Sequence, residues 1–283
     1  MAYGLWGLVP LYWTMLSSLS PIEITLHRIL WGALFACAVT AARGHLRHVV
    51  HIFLRRRTLG ALAVSSLLIA INWTIFIWCV STHRLVEAGL GYYLTPLVSM
   101  VLGVTLLGEK TSRLRVVAIA LAAAAVAVQA FDLGHIPLTA PALALSFGFY
   151  GYVRKRTAVD ALDGLTVETL LLFPPTLGLI AFWAIEGTGA FSTLHPARDA
   201  LLIGGGPVTA VPLVLFAAGA RRIRMTTLGF LQYLSPSITL IVATNLLGET
   251  FTAIDAITFG CVWAALLLVG LEGRLARSRA RGA

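Results

Sequence analysis

The chain carries one sequence pattern twice, as EAGLGYYLTPLVSMVLGVTLLGE at residues 87–109 and as TLGFLQYLSPSITLIVATNLLGE at residues 227–249. A shift of 140 residues superimposes seven or more identical residues without a gap, among them Pro96 on Pro236. The closing Leu-Leu-Gly-Glu of the first copy falls on the same four residues of the second. A match of this length is improbable by chance even between apolar segments, so the chain contains an internal repeat.

The composition predicts an all-α membrane protein. Of 283 residues, 58% are hydrophobic and only 12% are charged, whereas soluble domains carry about 25% charged residues. This amount of charge cannot cover the surface of a soluble protein of this size, which excludes most soluble enzyme classes. The net charge of +9 does not indicate a nucleic-acid partner, because the basic residues form short clusters between long apolar runs.

Ten runs of about twenty mostly apolar residues predict ten transmembrane helices. They cover residues 2–18, 22–42, 59–80, 87–107, 114–131, 137–153, 165–186, 200–219, 226–247 and 253–272.

The basic residues predict the orientation of these helices, because Lys and Arg accumulate in cytoplasmic loops. With both termini in the cytoplasm, 18 of the 21 Lys and Arg residues lie in inner loops or in the C-terminal tail. Only Arg84 and Arg198 lie in outer loops, and Arg28 lies within a span.

The repeat and the orientation together predict two inverted halves. The repeated stretches form the fourth and ninth spans, which are five helices apart and therefore cross the membrane in opposite directions. The halves are two five-helix repeats at residues 1–131 and 132–273, followed by a basic cytoplasmic tail at 274–283. Inverted repeats are typical of transporters whose substrate site lies between the halves near the membrane midplane.

Several stretches resemble the RarD type of EamA-domain protein, within the drug/metabolite transporter superfamily. They are LWGLVPLYW (5–13), EITLHRILWG (23–32), INWTIFIW (71–78), GYYLTPLVS (91–99), GGPVTAVPLVLFAAGARR (205–222) and TLGFLQYLSP (227–236). The resemblance covers nearly the whole chain. It implies ten helices in paired EamA halves and a carrier of small molecules in the bacterial inner (plasma) membrane, with no fixed substrate.

Ionisable residues inside a membrane are costly and are candidates for function. His27 shares a helix face with Glu23, and Arg28 either faces the protein interior or extends to the outer surface. Glu168 aligns with His27 in the repeat, so both are candidates for coupling transport to protons. The alternative for Glu168 is a carboxylate stabilised by the dipole at the helix N-terminus.

Polar residues mark a candidate cavity wall. Asn72, near the predicted midplane, is either an interhelical contact or a substrate contact. Tyr92, Pro96 and Ser99 share one helix face, as do Gln232, Pro236 and Thr239, and each face suits either a cavity or close helix packing. The predicted substrate-binding set is Tyr12, His27, Arg28, Asn72, Trp73, Tyr92, Tyr93, Pro96, Ser99, Tyr150, Glu168, Gln232, Pro236 and Thr239.

Motifs for catalysis, metal or cofactor binding are absent from the sequence. Gly103–Thr111 nearly spells a phosphate-binding loop, but Glu109 separates its second glycine from the lysine. Cys37, Cys79 and Cys261 are isolated in apolar runs, which favours neither a disulfide nor a zinc site.

We therefore expect a secondary transporter that moves a small organic metabolite or drug-like solute by alternating access, with export favoured over import. No cofactor is expected, and the partners are the solute, the lipid bilayer and, through the little-polar fifth and tenth spans, a second copy in a homodimer. The alternatives are a membrane scaffold or sensor and an intramembrane enzyme.

Overall fold

The computed structural model is a bundle of α-helices. It describes residues 1–81, 85–132, 138–191 and 195–246, and residues 253–268 except 255, 258 and 266. Within these ranges residues 259–265 are helical, and the other helices are α1 (Ala2–Thr14), α2 (Pro21–Ala42), α3 (Leu46–Leu54), α4 (Arg56–Ser81), α5 (Leu85–Thr105), α6 (Arg113–Asp132), α7 (Thr139–Arg156), α8 (Ala161–Ile185), α9 (Pro196–Arg222), α10 (Met225–Gln232) and α11 (Leu234–Leu246).

The helices build a multi-pass membrane protein. In the part of the chain that the structure describes, five helical stretches are long and apolar enough to cross a membrane: Pro21–Ala42, Arg56–Phe76, Ala161–Ile185, Pro196–Arg222 and Met225–Leu246. Their outer faces expose large apolar side chains, and contiguous apolar surface of this kind is stable against lipid rather than water.

Each of the first nine predicted spans overlaps a helix, with ends that differ from the prediction by up to four residues. α1 ends at Thr14 instead of residue 18, because a serine-rich turn leads directly into Pro21, the first residue of α2. The inner loop before α4 contains the additional short helix α3, whose apolar Val49 and Ile52 are buried. The number of membrane crossings stays a prediction.

The ninth predicted span is broken. α10 ends at Gln232 and α11 begins at Leu234, with Tyr233 in a turn between them. Pro236 has no N–H to donate to the carbonyl of Gln232, and its ring crowds that carbonyl, so the helix is interrupted there. Pro96, its partner in the repeat, lies inside α5 without such a break.

Glycines at matching repeat positions make matching close contacts. A Cβ added to Gly7 would lie 2.5 Å from Cβ of Ile238, and one added to Gly148 would lie 2.5 Å from Cγ1 of Val98. The first contact joins α1 to α11 and the second joins α7 to α5. Equivalent residues of the two predicted halves therefore make equivalent contacts.

The helices that carry the ionisable residues pack in the middle of the bundle. α2 packs along α8 and α9, α5 packs between α7 and α10, and α4 packs on α7. α6 packs mainly on α5 and shares a cluster of small apolar residues with Val262 and Ala265. This places α6 at the edge of the described bundle, as expected for the fifth span.

Candidate substrate site

Arg28 points into the helix bundle. It lies on α2 seven residues after Pro21, about 10 Å along the helix from the end predicted to be outside. Its guanidinium carbon lies 4.7 Å from the ring centroid of Trp13 and 5.0 Å from that of Trp73. Its Nε donates to Oγ1 of Thr209 on α9 at 3.1 Å. Of the two predicted orientations, the structure adopts the inward one.

Tyr92 lies beside this cation. Its ring lies 5.7 Å from the ring of Phe76, and its hydroxyl lies within electrostatic range of Arg28. Tyr92 is 41% exposed, so part of its surface is open although it faces a group inside the bundle. We call Trp13, Arg28, Trp73, Tyr92 and Thr209 the Arg28 site, which five helices build: α1, α2, α4, α5 and α9.

Tyr12 lies at the border of the Arg28 site. Its ring contacts Trp13 edge-on, with 5.0 Å between the centroids. Its hydroxyl donates to the backbone carbonyl of Leu201 on α9. Tyr12 therefore joins α1 to α9 next to the tryptophan that covers Arg28.

His27 faces away from Arg28. Its ring is buried and stacks on Phe191 at 5.6 Å, while its Nδ1 accepts a hydrogen bond from Nε1 of Trp31 at 3.3 Å. The carboxylate of Glu23, on the same helix face, accepts a hydrogen bond from the backbone N–H of Ala190. Both residues therefore attach α2 to the segment that precedes α9.

Glu168 belongs to a buried ion pair near the opposite end of the bundle, which is predicted to face the cytoplasm and is called the inner end below. Its Oε1 accepts a hydrogen bond from Ser65 at 2.5 Å and lies 3.5 Å from Nε of Arg154. Its Oε2 accepts from the hydroxyl of Tyr150 at 3.5 Å. Glu168 and Arg154 are each only 1% exposed, so the two charges compensate each other away from water.

The assignment of Arg154 to an inner loop is wrong. α7 continues to Arg156, and Arg154 lies one turn after Tyr150 on the buried face. Nη2 of Arg154 donates to the carbonyl of Ala161 at 3.0 Å. A Cβ on Gly164 would lie 2.0 Å from Nη1 of Arg154, so the glycine leaves the space that the guanidinium fills.

Asn72 and Tyr93 lie outside the Arg28 site. Nδ2 of Asn72 donates to the carbonyl of Leu143 at 2.9 Å and to Oγ of Ser146 at 3.0 Å, which is the interhelical contact between α4 and α7. Tyr93 meets Phe259 edge-on at 5.4 Å, in the peripheral cluster that contains α6. Both positions correspond to packing rather than to the predicted substrate contact.

The first residues of the two predicted stripes lie at different depths, because the two helices are predicted to run in opposite directions. Tyr92 is seven residues from the outer end of α5, whereas Gln232 is seven residues from the inner end of α10. Gln232 and Ser99 are buried, and the hydroxyl of Ser99 has no hydrogen-bond partner within the described part of the chain, while Thr239 donates to the carbonyl of Gly7 at 3.3 Å. Pro96 is buried and Pro236 half-buried.

An aromatic cluster fills the inner half between α1, α7 and α9. Its neighbouring ring centroids are 5.1–6.2 Å apart. The members are Tyr3, Trp6, Phe147, Tyr150 and Phe216. The predicted site residue Tyr150 thus contributes to packing at the inner end, below the level of Arg28.

Glu109, from the repeated Leu-Leu-Gly-Glu, caps α10 at the same inner end. Gly108 has a φ of 61°, a left-handed conformation that suits glycine and turns the chain back after α5. Oε1 of Glu109 accepts from the N–H of Met225 at 2.5 Å, and Oε2 accepts from the N–H and Oγ1 of Thr226 at 2.9 and 2.8 Å. Burial raises the pKa of Glu109, but these hydrogen bonds and the charge of Lys155 bring the pKa below its usual range.

Four contributing residues were missing from the predicted set: Trp13, Thr209, Arg154 and Glu109. Trp13 lies in the quoted stretch 5–13 and Thr209 in 205–222, and neither has a feature in the sequence that separates it from packing. Glu109 recurs in the repeat as Glu249, which marks this glutamate in the sequence but does not identify its contacts.

The fold and these sites define a multi-pass helical membrane protein with charged groups held inside the bundle. The chain belongs to the EamA-like transporter family, whose sequence profile matches residues 2–130 and again 137–271. It is therefore a membrane transporter of the drug/metabolite type.

Related proteins match nearly the whole chain. The "Uncharacterized transporter YojE" of Bacillus subtilis is 41% identical, over 95% of this chain and 90% of its own length. "Protein RarD" of Escherichia coli is 36% identical, over 96% of this chain and 92% of its own. A solved crystal structure covers 97% of this chain and 96% of its own with a TM-score of 0.71 and 18% identity, which shows the fold alone.

Proposed function

We propose that the protein is a secondary transporter that exports a small organic solute across the bacterial plasma membrane by alternating access. The observation that carries this proposal is the Arg28 site, where a cation inside the bundle is surrounded by aromatic side chains from several helices. A membrane protein that serves only as a scaffold has no need to place a charged side chain there, since burying it is costly; a sensor would bind a solute there, and the flux measurement below separates it from a transporter.

The two ends of the bundle differ, as expected of one conformation in an alternating-access cycle. The aromatic cluster around Phe216 fills the inner half, and Glu109 ties α5 to α10 at the same end. Tyr92, in the outer half, keeps an exposed surface beside Arg28. This arrangement is expected of a state closed to the cytoplasm, from which a solute in the Arg28 site reaches the outside.

The inverted repeat accounts for the second conformation of the alternating-access cycle, because the two halves can exchange their conformations. The matching contacts of Gly7 and Gly148 support two halves that can exchange conformations, with ten crossings and both termini in the cytoplasm. A cysteine introduced at Ile223 is expected to resist an impermeant thiol reagent in intact cells, while one at residue 134 reacts. Labelling of the first from outside would overturn this orientation.

Proton coupling through His27 and Glu168 is a separate hypothesis with weaker support. Glu168 already has a counter-ion in Arg154, and His27 is covered by Phe191. Neither group faces the Arg28 site. The contacts favour structural roles, and facilitated diffusion or exchange requires no titrating group.

The direct test is solute flux in proteoliposomes. A panel of small amphipathic solutes is loaded, including chloramphenicol, because one 28% identical relative from Pseudomonas aeruginosa is named "Chloramphenicol-sensitive protein RarD". We expect saturable flux of at least one solute, lost in Arg28→Ala and retained in Arg43→Ala, which changes an exposed arginine at the end of α2. Solute binding without flux for any member would favour a sensor and overturn the proposal.

A further inference from the structure

The Arg28 site presents hydrogen-bond donors with few acceptors. Arg28 uses only its Nε, towards Thr209, and among the described residues no acceptor meets its two terminal nitrogens. The indole nitrogens of Trp13 and Trp73 and the hydroxyl of Tyr92 likewise make no hydrogen bond within the described ranges. A site that is rich in donors and poor in acceptors is complementary to a ligand group that accepts hydrogen bonds.

Comparison with Arg154 shows what Arg28 lacks. Arg154 is paired with Glu168 at 3.5 Å, so at that position the protein supplies its own anion. Among the described residues no carboxylate forms an ion pair with Arg28, whose guanidinium contacts the faces of two tryptophans and the hydroxyl of Thr209. Cation–π contacts stabilise a guanidinium but leave its net charge uncompensated.

The geometry of a guanidinium selects the missing anion. Its two terminal nitrogens present parallel N–H groups that match the two oxygens of a carboxylate. One arginine accommodates one negative charge, since a second anionic group would be buried without a counter-ion. The rings of Trp13, Trp73 and Phe76 surround this position with apolar surface, which suits an apolar or aromatic body next to the charged group.

We infer that the transported solute is a monocarboxylate with an apolar or aromatic body, whose carboxylate binds the terminal nitrogens of Arg28. This inference rests on the proposed transport function for its role in the cell, but binding can be measured without transport. Solutes that carry only a positive charge are repelled by the same guanidinium.

The test compares three probes that share one body and differ in charge. They are 3-phenylpropionate, its neutral amide and the cationic 3-phenylpropylamine, titrated against purified protein by tryptophan fluorescence and by thermal shift. We expect the carboxylate to bind about 10- to 100-fold more tightly than the amide, the range for a hydrogen bond to a charged group, and the amine to bind more weakly still. Equal affinity for the acid and the amide, or no binding of the acid at millimolar concentration, overturns the inference.

Variants assign the preference to Arg28. Arg28→Gln is expected to abolish the difference between acid and amide, and Arg28→Lys to keep the sign of the preference but reduce its size, because the two-pronged contact is lost. Arg43→Gln is the matched control and should behave as wild type. If a folded Arg28→Gln protein keeps the full preference for the acid over the amide, Arg28 is not the group that binds the carboxylate. Arg28→Lys allows the same comparison of acid and amide in a protein that keeps the positive charge.

Failures of this inference and of the proposed function give different results. Saturable flux of a neutral or cationic solute without carboxylate binding leaves the transporter intact and refutes the solute class. Carboxylate binding through Arg28 without any flux supports the solute class and refutes transport.

Discussion

The buried pair of Arg154 and Glu168 predicts an unusual pattern of mutant stabilities. Both side chains are 1% exposed, and their contact is the described ion pair closest to full burial, with 3.5 Å between Nε and Oε1. Removing one partner leaves the other as an unpaired buried charge, which costs about 3–5 kcal/mol. Removing both leaves neither charge, and such replacements are often close to neutral.

The variants are Glu168→Gln, Arg154→Met and the double variant. Gln keeps the size of Glu168 and can still bond Ser65 and Tyr150, and Met replaces most of the apolar stem of Arg154. At roughly 2–4 °C per kcal/mol for chains of a few hundred residues, each single variant should unfold about 6–20 °C below wild type. The double variant should recover most of this loss.

The assay is the fraction of detergent-solubilised protein that remains monodisperse after heating at neutral pH, measured by size-exclusion chromatography. A Ser66→Ala variant controls for loss of a neighbouring hydrogen bond, since Ser66 donates to the backbone carbonyl of Glu168 at 2.9 Å and carries no charge. Losses that simply add in the double variant would refute the compensation argument. A Glu168→Gln protein of wild-type stability whose transport no longer depends on pH would instead establish Glu168 as a proton carrier.

Two further predictions concern the inner end and the helix contacts. Because the pKa of Glu109 is lowered, its contribution to stability is fully present above the ordinary carboxyl pKa and is lost as the pH falls through the lowered value. Glu109→Gln should therefore be less stable than wild type at pH 7, by about 0.5–2 kcal/mol as for other lost helix caps, and the gap should close on acidification; a gap that is constant with pH would contradict this. Gly148→Ala forces Val98 to move, because the added Cβ would lie 2.5 Å from it, and should lower the unfolding temperature, whereas Gly60→Ala in α4, with nothing within 4 Å, should leave it unchanged or raise it.

The helical architecture could be predicted from the sequence because lipid imposes long apolar runs on every crossing helix. The repeat around Pro96 and Pro236 was equally readable, since it depends only on residue identity. The break at Tyr233 was not, because the same Tyr-Leu-x-Pro pattern stays helical in α5. Whether a proline interrupts a helix is decided by the neighbouring helices rather than by the pattern itself.

The candidate site was predicted less completely. Arg28 was identified because a charge inside an apolar run is conspicuous, but its direction depends on Trp13 and Thr209, which are distant in sequence. Arg154 was misassigned because it is followed by Lys155 and Arg156, and such a cluster ordinarily marks a loop. The sequence shows where charged residues occur. Which of them form pairs depends on contacts between helices, and the sequence of one chain does not show those contacts.

The different fates of Pro96 and Pro236 have a consequence for the energy of the transport cycle. In one half of the molecule the helix that carries the motif is interrupted at Tyr233, and in the other half it is continuous. In the proposed alternating-access cycle the two halves exchange conformations, so the interruption would pass from one copy of the motif to the other. The backbone hydrogen bonds lost at the new interruption would be regained at the old one. The free-energy difference between the two conformations would then be small, because helix hydrogen bonds are exchanged rather than lost. A small contribution, such as an occupied substrate site, would be enough to shift the equilibrium.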